Sequence, residues 1–159
     1  MKNLIIAATA AIITASAAFA HDYKVGPLSV MHPKTFATAK NAKVGGGYMM
    51  IENTSDMDDK LIAVRVADIP RIELHLSETD ANGVARMIKQ DGIAIPAGET
   101  VTLKPGGLHV MFMGLGNKSF ILGEKLDATL VFEKAGELAV QFNIEERGEH
   151  DHGAMKHTD

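Results

Sequence analysis

The stretch "GGLHVMFMGL", residues 106–115, opens on a glycine turn and then alternates. In a strand successive side chains point to opposite faces, so Val110 and Phe112 share one face while His109, Met111 and Met113 share the other. One face is apolar enough to bury, and the other carries an imidazole and two thioethers. The rest of the chain repeats this grammar of short apolar runs separated by Gly, Pro, Asn and Asp. Strands are expected over residues 23–31, 47–53, 60–66, 71–76, 85–89, 100–103, 109–113, 125–133 and 137–144, with turn signals at Asn82-Gly83, Asp91-Gly92, Pro105-Gly106-Gly107 and Ala135-Gly136. No segment holds a helical period, and no internal repeat or second domain is visible. The pattern predicts an all-β, single-domain antiparallel sandwich or barrel.

The ends of the chain have a different composition. Residues 1–20, "MKNLIIAATAAIITASAAFA", read as a secretory signal: Lys2 is the positive start, Leu4 to Ile13 the apolar stretch and Ala18-Phe19-Ala20 a small-residue cleavage site. Cleavage there leaves 139 of the 159 residues and takes the formal net charge from −4 to −5. The expected product is an exported, periplasmic, monomeric chain: residues 21–146 form the sandwich and residues 147–159 a flexible, polar tail. A later stretch of the roughly 20 apolar residues needed to span a bilayer is lacking, so no stable membrane insertion is expected. The negative balance argues against a nucleic-acid partner, which is normally met by clustered Lys and Arg.

The sequence contains no cysteine. This excludes Cys-ligated blue or dinuclear copper centres, Cys-rich zinc sites, iron–sulfur clusters and thiol redox catalysis. Any soft metal ligand must then be methionine, of which eight remain after the initiator, and most of these are expected to fill a core. No catalytic constellation is apparent, and the chain is read as a non-enzyme.

In "RIELHL", residues 71–76, Ile72, Leu74 and Leu76 form one apolar row, which places Arg71, Glu73 and His75 on the opposite, wetter face. Taken alone, His75 reads as a solvated surface residue and Met87, in "VARMIKQ", as core filler. Their joint spacing changes that weighing. After His75 come Leu76, ten further residues and Met87; twenty-one more residues lead to His109, and one residue later stands Met111.

With this spacing the sequence resembles the periplasmic copper chaperones of the PCuAC family, whose hallmark is His, an often-Met neighbour, ten residues, Met, twenty-one residues and His-x-Met. Leu76 stands where the family often has Met. The flanks "HDYKVGPLSVMHP", "GGGYMMIEN" and "IAIPAGETVTLKPGGLHVMFMGL" also resemble the family. The resemblance implies a cupredoxin-like β-sandwich and makes His75, Met87, His109 and Met111 the Cu(I) ligands. It further implies delivery of copper to the copper-bearing subunit of cytochrome c oxidase, at its CuA centre, or to another periplasmic copper chaperone. Neutral thioether and imidazole donors suit Cu(I), and thioether cannot be lost to a disulfide, although it can be oxidised to a sulfoxide. Such a site is expected near the surface, with Met113 packing beneath it or at its rim.

Other candidates stand apart from this motif. His150, His152, Met155 and His157 in the tail are either solvated or a Cu(II) chelator. His21, as a mature amino terminus, is either a by-product of cleavage or a Cu(II) site, and the latter leaves open a copper redox enzyme; a copper store or scavenger is the other alternative. His32 before Pro33 reads as a strand-ending turn. "GGG" at Gly45 to Gly47 lacks the Lys-Ser/Thr and helix of a phosphate loop, and Asn53-Thr54-Ser55 is a weak glycosylation signal.

Overall fold

A computed structural model describes residues 22–116 and 118–148. All regular structure among them is strand: β1 (Tyr23–Val25), β2 (Leu28–Phe36), β3 (Val44–Asn53), β4 (Asp59–Arg65), β5 (Arg71–Thr79), β6 (Ala85–Gln90), β7 (Ile93–Ile95), β8 (Thr100–Leu103), β9 (Leu108–Met113), β10 (Lys125–Phe132) and β11 (Gly136–Glu145). Among the described residues no helix is long and apolar enough to cross a membrane.

The hydrogen-bonded order is β6-β5-β9-β3-β2-β11-β10-β4-β7, with β1 added to β2 and β8 to β3. The pairs are antiparallel except β11 with β2, which run parallel through Asn143↔Lys34, Ile144↔Thr35 and Glu145↔Phe36. Strand β3 changes partner along its length. Val44 to Gly47 pair with β9 and Met49 to Glu52 with β8, so the sheet divides near Tyr48 and wraps over its own apolar face. Contact between β4 and β5 helps to close the sandwich.

Alternation supplies the core. Leu28 and Val30 of β2, Met49 and Ile51 of β3, Val110 and Phe112 of β9, Leu130 of β10 and Phe142 of β11 are all buried. Phe112 packs edge-on against Phe120 and Phe142, at centroid distances of 5.6 and 5.7 Å, an arrangement favoured by the ring quadrupoles. The triple glycine lies inside β3 for this reason. A Cβ on Gly45 would meet Phe120 at 2.6 Å, and one on Gly47 would meet Phe112 at 2.9 Å and Phe142 at 3.0 Å. On the outer face, a Cβ on Gly46 would collide with the Tyr48 ring.

Three expectations need correction. The 23–31 run is two strands, broken at Gly26, whose φ of +54° suits glycine. Strand β2 continues through His32 and Pro33 instead of ending there: His32 takes φ +49° and the register with β3 shifts between Met31 and Lys34, so the proline is carried by a bulge. Strand β7 was not expected, because "IAI" is too short to show a period; its pairing with β4 and burial of Ile93 and Ile95 define it.

Asn53 is 1% exposed. Its Nδ2 donates to the carbonyls of Met57, at 2.8 Å, and Ile95, at 3.1 Å, while Oδ1 accepts from Ser55 N and Oγ. The amide that a glycan would need is therefore internal and fully used.

Candidate metal centre

Strand β5 is flanked by β6 and β9, which brings the four spaced residues to one face. His75 stands directly opposite His109 in the β5–β9 register, and Glu73 opposite Met111. On the other side Ser77 stands opposite Met87. Directly opposed Cβ atoms are roughly 5 Å apart and diagonal ones roughly 7–8 Å, within the reach of methionine. Met87 and Met111 are therefore the two diagonal neighbours of His75, one from each adjoining strand. The imidazole rings of His75 and His109 have centroids 5.8 Å apart at an interplanar angle of 65°.

Each ring has one nitrogen engaged. His109 Nδ1 donates to the carbonyl of Gly107 at 2.9 Å, the same carbonyl that accepts the Ser77 amide at 3.0 Å. The β8–β9 turn is thus fastened to β5 and fixes the His109 ring. His75 Nε2 lies 2.8 Å from Glu73 Oε2, and its Nδ1 is buried with no hydrogen-bond partner. Glu73 Oε1 is 3.3 Å from Lys89 Nζ and 3.8 Å from Arg71 Nε. The bond from His75 holds the Glu73 carboxyl below its ordinary value, helped by Lys89 and Arg71 and opposed by desolvation.

The site is less open than a solvent-facing strand implies. His109 is 4% exposed and the His75 side chain 13%, whereas Met87 is 61% exposed. Strand β9 is interior to the sheet, and the His109 ring is tied to the β8–β9 turn through the Gly107 carbonyl. A hollow of about 270 Å³ lies over it, with Met87, His109, Met111, Tyr48, Gly106 and Arg147 in its walls. The Met113 sulfur accepts from the Arg71 guanidinium. Arg147 reaches back over the Phe36 ring, 5.4 Å from its centroid.

Two imidazoles and two thioethers converging on one face, with one buried nitrogen unpartnered, fit a soft monovalent cation and not a hard divalent one. Among the described residues no group of three or more His, Cys, Asp or Glu is arranged to hold a metal ion. His21, His150, His152, Met155 and His157 lie outside the described residues. Ligand spacing along the chain gives no sign of Glu73 or of the Gly107 carbonyl, which hold the two rings. The only sequence signal for Glu73 is its place two residues before His75 on the same face.

A family model described as putative lipoprotein LpqE-like matches residues 28–144. The chain is 32% identical to the copper-bound PCuAC domain from PmoF2, covering 80% of this chain and 99% of that one with a TM-score of 0.68. It is 26% identical to CuI-DR1885 from Deinococcus radiodurans, covering 82% and 84% of the two chains with a TM-score of 0.59. The putative lipoprotein Lxx21020 of Leifsonia xyli subsp. xyli (strain CTCB07) is 27% identical over 99 residues, 62% of this chain, and the match spans 59% of that relative's length.

Proposed function

The chain belongs to the PCuAC family, by the LpqE-like model over residues 28–144 and by its likeness to the PmoF2 domain, and from that premise we propose that it is an exported copper chaperone. It binds one Cu(I) through His75, Met87, His109 and Met111 and passes the ion to a cysteine-bearing acceptor such as the CuA centre of cytochrome c oxidase. The observation that carries this reading is the buried, unpartnered Nδ1 of His75 beside the His109 ring. A buried polar atom without a partner is costly, and a bound ion is one way to complete it.

All four donors are neutral, so the loaded centre keeps a single positive charge. Thiolates are anionic and bind Cu(I) more tightly than thioethers, which sets the direction of transfer. Met87 is the exposed donor on an edge strand and is the first to be exchanged for an incoming thiolate; the recessed histidines hold the ion meanwhile. The protein itself performs no bond-making beyond this exchange of ligands.

The test is an anaerobic titration of the mature chain with Cu(I) against a chromophoric chelator. One tight equivalent is expected in the parent and its loss in the variant carrying His75→Ala with His109→Ala. Parent-like affinity in that double variant would remove the site assignment.

A further inference from the structure

Resting on this copper reading, we infer that Glu73 is a positioning residue for the site: it fixes the proton of His75 on Nε2, so that His75 meets copper through Nδ1 whereas His109 meets it through Nε2.

An ionised carboxylate can only accept a hydrogen bond. With Glu73 Oε2 at 2.8 Å from His75 Nε2, the proton of a neutral ring is on Nε2 and the lone pair is on Nδ1. That Nδ1 is the buried nitrogen without a partner. Turning the ring over would set a carbon against Glu73 and give up the hydrogen bond. The His109 ring is fixed the other way round: Nδ1 donates to the Gly107 carbonyl, which leaves the lone pair on Nε2. The two rings face one another across β5 and β9, and their free nitrogens differ because their supporting acceptors differ. A histidine ligand whose second nitrogen donates to a carboxylate or a backbone carbonyl is the common arrangement in metal sites, and both kinds occur here.

Glu73 is also kept from serving as a ligand. Oε2 is taken by His75, while Lys89 Nζ at 3.3 Å and Arg71 Nε at 3.8 Å stand against Oε1. A hard anionic oxygen two residues from His75 would otherwise favour a divalent ion. The two cations hold it in the supporting position, and the donor set stays neutral and soft.

Long-range proton–nitrogen correlation spectra of the ¹⁵N-labelled mature protein test this directly. Without metal, His75 should show a proton on Nε2 and His109 one on Nδ1. Addition of one equivalent of Cu(I) should then shift Nδ1 of His75 and Nε2 of His109. Glu73→Ala should leave His75 without a single tautomer and weaken Cu(I) roughly 10- to 100-fold in chelator competition, the range typical for losing such a support. Glu73→Gln keeps a carbonyl acceptor and should retain the tautomer, with affinity within about threefold of the parent.

A metal-free protein with the His75 proton on Nδ1, or a Glu73→Ala variant with parent tautomer and affinity, would overturn the inference. If Glu73→Ala fails to fold, as the amide region of the same spectra would show, the parent and Glu73→Gln spectra still decide it. A parent that takes up Cu(I) with the shift on Nε2 of His75 overturns this inference alone. A parent that takes up no Cu(I) overturns the copper reading and this inference with it.

Discussion

Arg71 donates to the sulfur of Met113 from Nη2 at 2.8 Å and from Nε at 3.2 Å. Their backbones are opposed at the end of the β5–β9 ladder, so the contact is built into the register. It engages the third soft side chain on this face of β9, beyond the proposed ligands His109 and Met111. Met113 is four residues from His109, roughly 13 Å along a strand, and its sulfur is already engaged.

Met113→Leu should therefore leave Cu(I) affinity within about threefold of the parent, whereas Met111→Leu should weaken it by more than tenfold. Both substitutions are close in volume and should cost less than about 1.5 kcal/mol in stability. Chelator competition on the two variants checks this, and equal losses would place Met113 among the ligands.

Gly47→Ala should destabilise the fold by about 1–3 kcal/mol, the usual cost of overpacking a filled core. Its Cβ would stand 2.9 Å from Phe112 and 3.0 Å from Phe142, and neither ring can withdraw without disturbing the other. Gly98→Ala is the instructive contrast. At Gly98 a Cβ meets nothing within 4 Å, and the strain comes from φ +69° instead; a cost of about 1 kcal/mol is expected. Urea denaturation midpoints separate the two cases.

The strands that carry the candidate site were legible because alternation alone places His75, His109 and Met111 on one side of their strands. The spacing then linked them to Met87. The depth of the site was not legible. A polar residue on an alternating strand reads as wet, yet His109 is buried, its ring bonded to the Gly107 carbonyl of the β8–β9 turn, which is itself fastened to β5. The role of Glu73 was hidden for a related reason: it depends on a rotamer held by Lys89 from the neighbouring strand, which no spacing along β5 encodes. The triple glycine was correctly read as no phosphate loop, but its cause lies in Phe112, Phe120, Phe142 and Tyr48. Only the last of these is near it in the chain.

Asn53→Ala should cost about 3 kcal/mol, because it strips partners from the Met57 and Ile95 carbonyls and from Ser55 at once. Expression in a glycosylating host should yield a folded protein without a glycan at Asn53, as its amide is internal. Mass spectrometry checks the second point, and a glycosylated, parent-stable product would contradict the burial.

Transfer to an acceptor should be direct and sensitive to salt. Arg71 and Lys89 have side chains 67% and 62% exposed beside the site, and Arg147 stands in the wall of the hollow above it. The loaded centre adds one more positive charge to this face, although the chain as a whole has a formal net charge of −4. An acceptor bearing thiolates in an acidic surround should therefore be drawn to this face, where Met87 is exposed. Charge-steered association weakens as salt shortens the screening length. Mixing the Cu(I)-loaded protein with a reduced, cysteine-bearing oxidase copper domain should give a rate that rises with acceptor concentration and exceeds loss of copper to a competing chelator. Raising the salt from about 0.02 M to about 0.5 M should slow it roughly tenfold, while chelator competition at the same salt shows little change in affinity. A rate equal to dissociation into the chelator, and independent of acceptor concentration, would instead assign the protein to copper storage.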